Sequence, residues 1–128
     1  MANIIVWADI PVSDIARASK FYAHVTGMSV MPMPGSNDTI ALIGGPGDAA
    51  LEGGGMIVSA DLYVGGKPSH DGPTVYLNSG GDIDAMVARV TEAGGTMLQE
   101  KQFMGDMVGW VAFFEDTEGN RIGIEQMK

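Results

Sequence analysis

The chain states one pattern twice, and this repeat limits its fold more than any other feature. Residues 4–12 (IIVWADIPV) alternate, with Val6, Ala8, Ile10 and Val12 on one side and Trp7 and Asp9 on the other. That is the period of a strand with one buried face. Ser13-Asp14 then offers a helix cap, Ile15, Ala18, Phe21, Tyr22 and Val25 recur at helical spacing, and Gly27 ends the turn. From Thr74 the order returns: TVYLNS reads as a strand and Asp82 as a cap. Ile83, Met86, Val87, Val90 and Ala93 form a stripe that Gly94-Gly95 stops. Each stop is followed by three short strand candidates, at 28–33, 39–43 and 55–60 and at 96–103, 109–115 and 121–127. The Gly-rich stretch 63–72 (YVGGKPSHDG) reads as a linker. The expectation is an α+β chain of two β-α-β-β-β modules, 4–60 and 74–128, with helices near 14–26 and 82–94. Neither module alone buries both faces of its sheet, so the two should pack as one unit.

The length of 128 residues fits a single domain spanning 1–128, and 45% hydrophobic residues suffice for a core. Cysteine is absent, which removes disulfides, thiolate nucleophiles and thiolate metal sites together. No apolar run approaches the ~20 residues that span a bilayer. The opening MANIIVWADIPVSD meets acid too early for a signal peptide, so a soluble, cytoplasmic protein without a membrane partner is expected. A net charge of −9 disfavours nucleic acid, whose binding needs clustered Lys and Arg. It reads either as a solubilising surface or as a preference for neutral or cationic small molecules.

IPVSDIARASKFYAHVTGM resembles the first strand and helix of the glyoxalase, bleomycin-resistance and extradiol-dioxygenase superfamily, the vicinal oxygen chelate family. GPTVYLNSGGDIDAMVARVTEAGGT and AFFEDTEGNRIGIE are similar to its second module. The resemblance covers nearly the whole chain and is closest to small single-domain bacterial relatives of lactoylglutathione lyase. It implies two modules forming a curled mixed sheet around a cleft, and a homodimer. In metal-using members, His, Glu or Gln side chains on neighbouring strands supply three or four ligands. Carried onto this chain, those positions fall at Trp7, at Thr74 or Val75, near Gly55–Ile57 and at Gly123. An indole and a glycine offer a cation no lone pair. His24 and His70 lie far apart in sequence, and neither has a second ligand at i+2 or i+4. No metal and no other cofactor is therefore expected.

A side chain two residues along a strand faces the same way, so the cleft is expected to keep Asp9 beyond Trp7 and Glu125 beyond Gly123. In the Thr74 register, Thr74, Tyr76 and Asn78 join them. Met28, Met31, Met33, Met97, Met104 and Met107 read as core filler or as the lining of a forgiving apolar pocket. Two functions fit this set. The first is a binding protein that holds a neutral or cationic small molecule against Trp7, Thr74, Tyr76 and Asn78. The second is a metal-independent lyase or isomerase with Glu125 or Asp9 as general base on a proton next to a carbonyl.

Overall fold

The computed structural model describes residues 8–44 and 60–127. In the first half, β1 (Ala8–Pro11) leads into α1 (Ile15–Thr26), then β2 (Val30–Pro32), β3 (Ile40–Ile43) and β4 (Ala60–Tyr63). In the second, β5 (Val75–Asn78) leads into α2 (Ile83–Glu92), then β6 (Thr96–Phe103), β7 (Trp110–Glu115) and β8 (Arg121–Gln126). Each half forms its own four-stranded mixed sheet, ordered β1-β4-β3-β2 and β5-β8-β7-β6. In both, the first strand runs parallel to the last and the remaining pairs are antiparallel. These are the two expected β-α-β-β-β modules. No strand of one sheet pairs with a strand of the other, so the sheets stay open.

Local chemistry sets these elements. Asp14 and Asp82 stand at the helix starts with non-helical backbone, and their carboxylates accept hydrogen bonds from Arg17 N and Ala85 N, both at 3.0 Å. Each satisfies one of the four N–H groups that a helix start leaves without a partner. Gly27 closes α1 at φ 70, and Gly94 turns the chain after α2 at φ 98, a region where a side chain is strained.

The fourth strand of the first module needs correction. It was expected at 55–60 but runs Ala60–Tyr63, into the presumed linker; 55–59 lie outside the described residues. Pairing with β1 pulls it onward, since Tyr63 lies opposite Pro11 and its carbonyl accepts from Val12 N at 3.0 Å.

The apolar stripes of both helices and one face of each sheet meet in one shared core. Phe21 of α1 sits edge-on to Tyr22 at 5.0 Å and touches Phe114 of β7 at 5.8 Å between ring centroids. Fully burying a side chain of that size contributes about 1.5–3 kcal/mol. Neither module closes alone, as anticipated. Only part of the methionine set is core: Met28 and Met97 pack against it, while Met31, Met33 and Met104 are exposed and Met107 is 92% exposed. Met31 lies opposite Leu42, on the side away from the buried Ala41 and Ile43, so strand parity turns it outward. No described helix is long and apolar enough to cross a membrane.

Candidate functional site

The site is built from the parity of the second sheet. Val75, Leu77, Ala112, Phe114, Ile122 and Ile124 face the core, which turns Thr74, Tyr76, Phe113, Arg121, Gly123 and Glu125 to the opposite, open face. This fixes the register left open by the sequence: Val75 points to the core and Thr74 shares a face with Tyr76.

Strand pairing arranges the open face in rungs. At one end Arg121 Nη1 donates to Thr74 Oγ1 at 2.7 Å, and the guanidinium lies 3.9 Å from the centre of the Phe113 ring. Beside them His70 Nε2 and Glu115 Oε2 are 2.7 Å apart. In the middle rung, Tyr76, Gly123 and Phe113 lie side by side, the two rings edge to face at 5.7 Å. At the far end Asn78, Glu125 and Val111 are neighbours. An open pocket of about 510 Å³ occupies this end, lined by Tyr76, Phe113, Val111, Met104, Val108 and Glu125. It combines two aromatic rings, apolar walls and one carboxylate, the mixture small-molecule sites use.

At Gly123 this face has no room for a ligating side chain. A Cβ there would overlap Cδ1 of Tyr76 and lie 2.6 Å from its Cε1, so the Tyr76 ring occupies the space a ligating side chain would need. Thr74, at the matching position just before β5, has its hydroxyl engaged by Arg121. His24 pairs with Glu92 at 3.0 Å and His70 with Glu115. Among the described residues no three His, Cys, Asp or Glu side chains cluster as metal ligands, and the set does not fit the family's metal.

The expected cleft resolves into separate places. Tyr76 and Glu125 line the same pocket. Asn78 lies beside Glu125, but its side chain accepts from Gly80 N at 2.8 Å. Asp9 lines a different pocket, about 370 Å³, where the two modules meet. Within the single chain, Asp9 and Glu125 line different pockets. The modules meet through their helix-covered faces, leaving each outward sheet face to its own strands. Trp7 and Gly55–Ile57 lie outside the described residues.

Sequence reading placed the turn after β7 but not the work of its side chains. Tyr22 Oη of the first module donates to the buried Asp116 at 2.5 Å. The other Asp116 oxygen accepts from Glu118 N and Asn120 N at 2.8 and 2.9 Å. Glu118 then caps α1 from outside, accepting from Ser13 N and Asp14 N at 2.9 Å each and from Arg17 Nε at 2.7 Å. Burial alone would raise the Glu118 pKa; the hydrogen bonds from Arg17, Asp14, Ser13 and Thr117 outweigh it and hold the group at about 2. Burial, and then the neighbouring Asp116 charge, push the Tyr22 hydroxyl well above its ordinary value, so it stays a donor. The one signal in the sequence was the polar density of DTEGN between apolar strands.

Comparison with known proteins bears on this architecture. Residues 4–124 match the family model described as Glyoxalase/Bleomycin resistance protein/Dioxygenase superfamily. A glyoxylase-like domain-containing protein of Didymella fabae is 32% identical over 117 residues, covering 88% of this chain and 84% of that protein. A putative glyoxylase of Mycobacterium bovis, CFP32, is 26% identical over 94% of this chain, which spans only 44% of its length. Among solved structures, a glyoxalase/bleomycin resistance protein from Albidiferax ferrireducens superposes with a TM-score of 0.66 at 19% identity, covering 96% of this chain and 98% of that one. TnmS3, an antibiotic binding protein from a Streptomyces species, gives 0.61 at 24% identity, covering 100% and 99%.

Proposed function

The chain belongs to the Glyoxalase/Bleomycin resistance protein/Dioxygenase superfamily, and from that premise we propose that it binds a neutral or cationic small molecule on the open face of its second sheet, without a metal. The observation that carries this reading is the Tyr76–Phe113 ring pair beside Glu125 in one open, mostly apolar pocket. Aromatic faces attract planar and cationic guests, and a carboxylate at the rim adds a counter-charge. The adaptable thioether of Met104 suits an irregular ligand. Antibiotic binding by TnmS3 is consistent with this use of the fold. Metal-assisted isomerisation is no part of the proposal, because Gly123 and Thr74 do not fit a metal.

A homodimer completes the reading. Met31 and Tyr63 on the first sheet with Met33 just beyond β2, and Phe103 on the second with Met107 in the turn after β6, leave apolar surface uncovered in one chain, and covering it favours association. Light scattering at micromolar concentration should return a dimer mass; a monomer mass would count against pairing.

Calorimetric titration with a planar aromatic cation, N-methylquinolinium, and its neutral counterpart quinoline tests the pocket. Glu125→Gln should weaken the cation by roughly 1–3 kcal/mol, the worth of a charged contact, and leave quinoline nearly unchanged. Equal losses for both, or none, would defeat the counter-charge role.

A further inference from the structure

The second pocket, where the modules meet, has a chemistry of its own. The chain carries 7 Lys and Arg against 16 Asp and Glu, so cations are scarce and several are already used. Arg17 and Lys101 are paired with Glu118 and Asp84. Arg89 Nε donates to the Val25 carbonyl at 3.0 Å. Lys20, which among the described residues has no carboxylate within ion-pair distance, lies in a helix-side groove shared with Asp14 and Glu92. The other two cations among the described residues are Lys67 and Arg121, and both line the pocket of about 370 Å³ between the modules. Among the described residues neither has a carboxylate within 4 Å; Glu115, opposite Arg121 in the sheet, pairs with His70.

Arg121 is also held ready. Its guanidinium is fixed over the Phe113 ring and by one hydrogen bond, from Nη1 to Thr74 Oγ1. Five N–H groups in a planar fork are available to an arginine, so the remainder is left for an acceptor, and carboxylates match that fork. The linker wall bearing Lys67 is anchored rather than loose: Ser69 N donates to Asn120 Oδ1 at 3.3 Å, and Arg121 N donates to the Ser69 carbonyl at 3.3 Å. Val75, Ile122 and Pro11 supply apolar lining.

We propose that this pocket is a second binding site, for a small organic carboxylate with an apolar body, held by Lys67 and Arg121 at the junction of the two modules. It is separate from the Tyr76–Glu125 pocket and opposite to it in charge preference. Asp9 also lines it and opposes an incoming anion, so its charge sets the affinity from the first module's side.

Benzoate and its uncharged counterpart benzamide test this directly by amide NMR titration at low ionic strength. Benzoate should saturate and shift Gly72, Val75 and Ile122, while benzamide binds at least about tenfold more weakly. Lys67→Gln, a change at an exposed position, should weaken benzoate about three- to tenfold, and Asp9→Asn should tighten it by a similar factor. The proposal is overturned if benzoate fails to bind, if the two probes bind alike, if Lys67→Gln and Asp9→Asn have no effect, or if the shifts fall on Tyr76 and Glu125. Because the two pockets report through different residues, failure here leaves the quinolinium result readable, and the reverse.

Discussion

The two modules share a topology and differ in almost everything their open faces carry. The first sheet turns Met31, Leu42 and Tyr63 outward around the carboxylates Asp9 and Asp61, the latter 2% exposed. The second turns out the Tyr76–Phe113 pair with Arg121 at one end and Glu125 at the other. Their inner faces, by contrast, are filled alike by aliphatic and aromatic residues in one core. The difference shows where the constraint lies. Packing against a helix holds the inner positions to apolar types, whereas outward positions are free to diverge, and that is where ligand chemistry accumulates. The modules also differ in what they give each other. The second lends its 116–120 turn to cap the first module's helix, and the first returns the Val25 carbonyl to Arg89.

The largest expected effect breaks that loan. Asp116→Ala would strand the Tyr22 hydroxyl and the amides of Glu118 and Asn120, costing about 3–5 kcal/mol in urea unfolding, as for other buried partners removed singly. A loss under about 1 kcal/mol would mean that the turn does not hold the modules together. Next comes pH. Glu118 has its folded pKa lowered from 4.5 to about 2, so its stabilisation is complete above about 4.5 and is lost as pH falls toward 2. Its side chain is fully covered while Arg17 is half exposed, which brings the expected loss to on the order of 2 kcal/mol. In Glu118→Gln this part of the acid profile should flatten; an unchanged slope would place the acid sensitivity elsewhere.

A smaller effect sharpens the contrast between the faces. Gly123→Ala puts a methyl group into the Tyr76 ring and should cost about 1 kcal/mol, the low end of overpacking because Tyr76 is exposed and able to swing away. Combined with Tyr76→Ala the penalty should vanish. A purely additive pair would show that the ring does not fill that space. The smallest is Lys101→Ala, which removes an exposed pair with Asp84 and a contact of its ammonium with the Trp110 ring at 5.1 Å, and should cost less than about 1 kcal/mol.

The fold was legible because its signals are local and come twice. Asp14 and Asp82 cap, the stripes from Ala18 to Val25 and from Ile83 to Val90 face inward, and a glycine ends each helix. Period-two parity also put Tyr76 and Glu125 on one face, because parity needs only neighbours in the same strand. Where Asp9 lies relative to Glu125 depends on how two modules pack, which no strand pattern encodes. The same holds for Asp116 and Glu118, whose partners Tyr22 and Ser13 lie 94 and 105 residues away. The end of β4 at Tyr63 was obscured by the glycines that follow it; the pairing with Pro11 that extends it is a long-range contact.

The central claim is that the second module's open face, and not the first's, receives the small molecule. Methionine methyl groups report on both at once, since Met104 lines the Tyr76–Glu125 pocket while Met31 and Met33 sit on the first sheet. In protein labelled with ¹³C at its methionine methyls and titrated with N-methylquinolinium, Met104 should shift with saturation while Met31 and Met33 stay in place. Saturable shifts at Met31 and Met33 with Met104 unmoved would contradict the account.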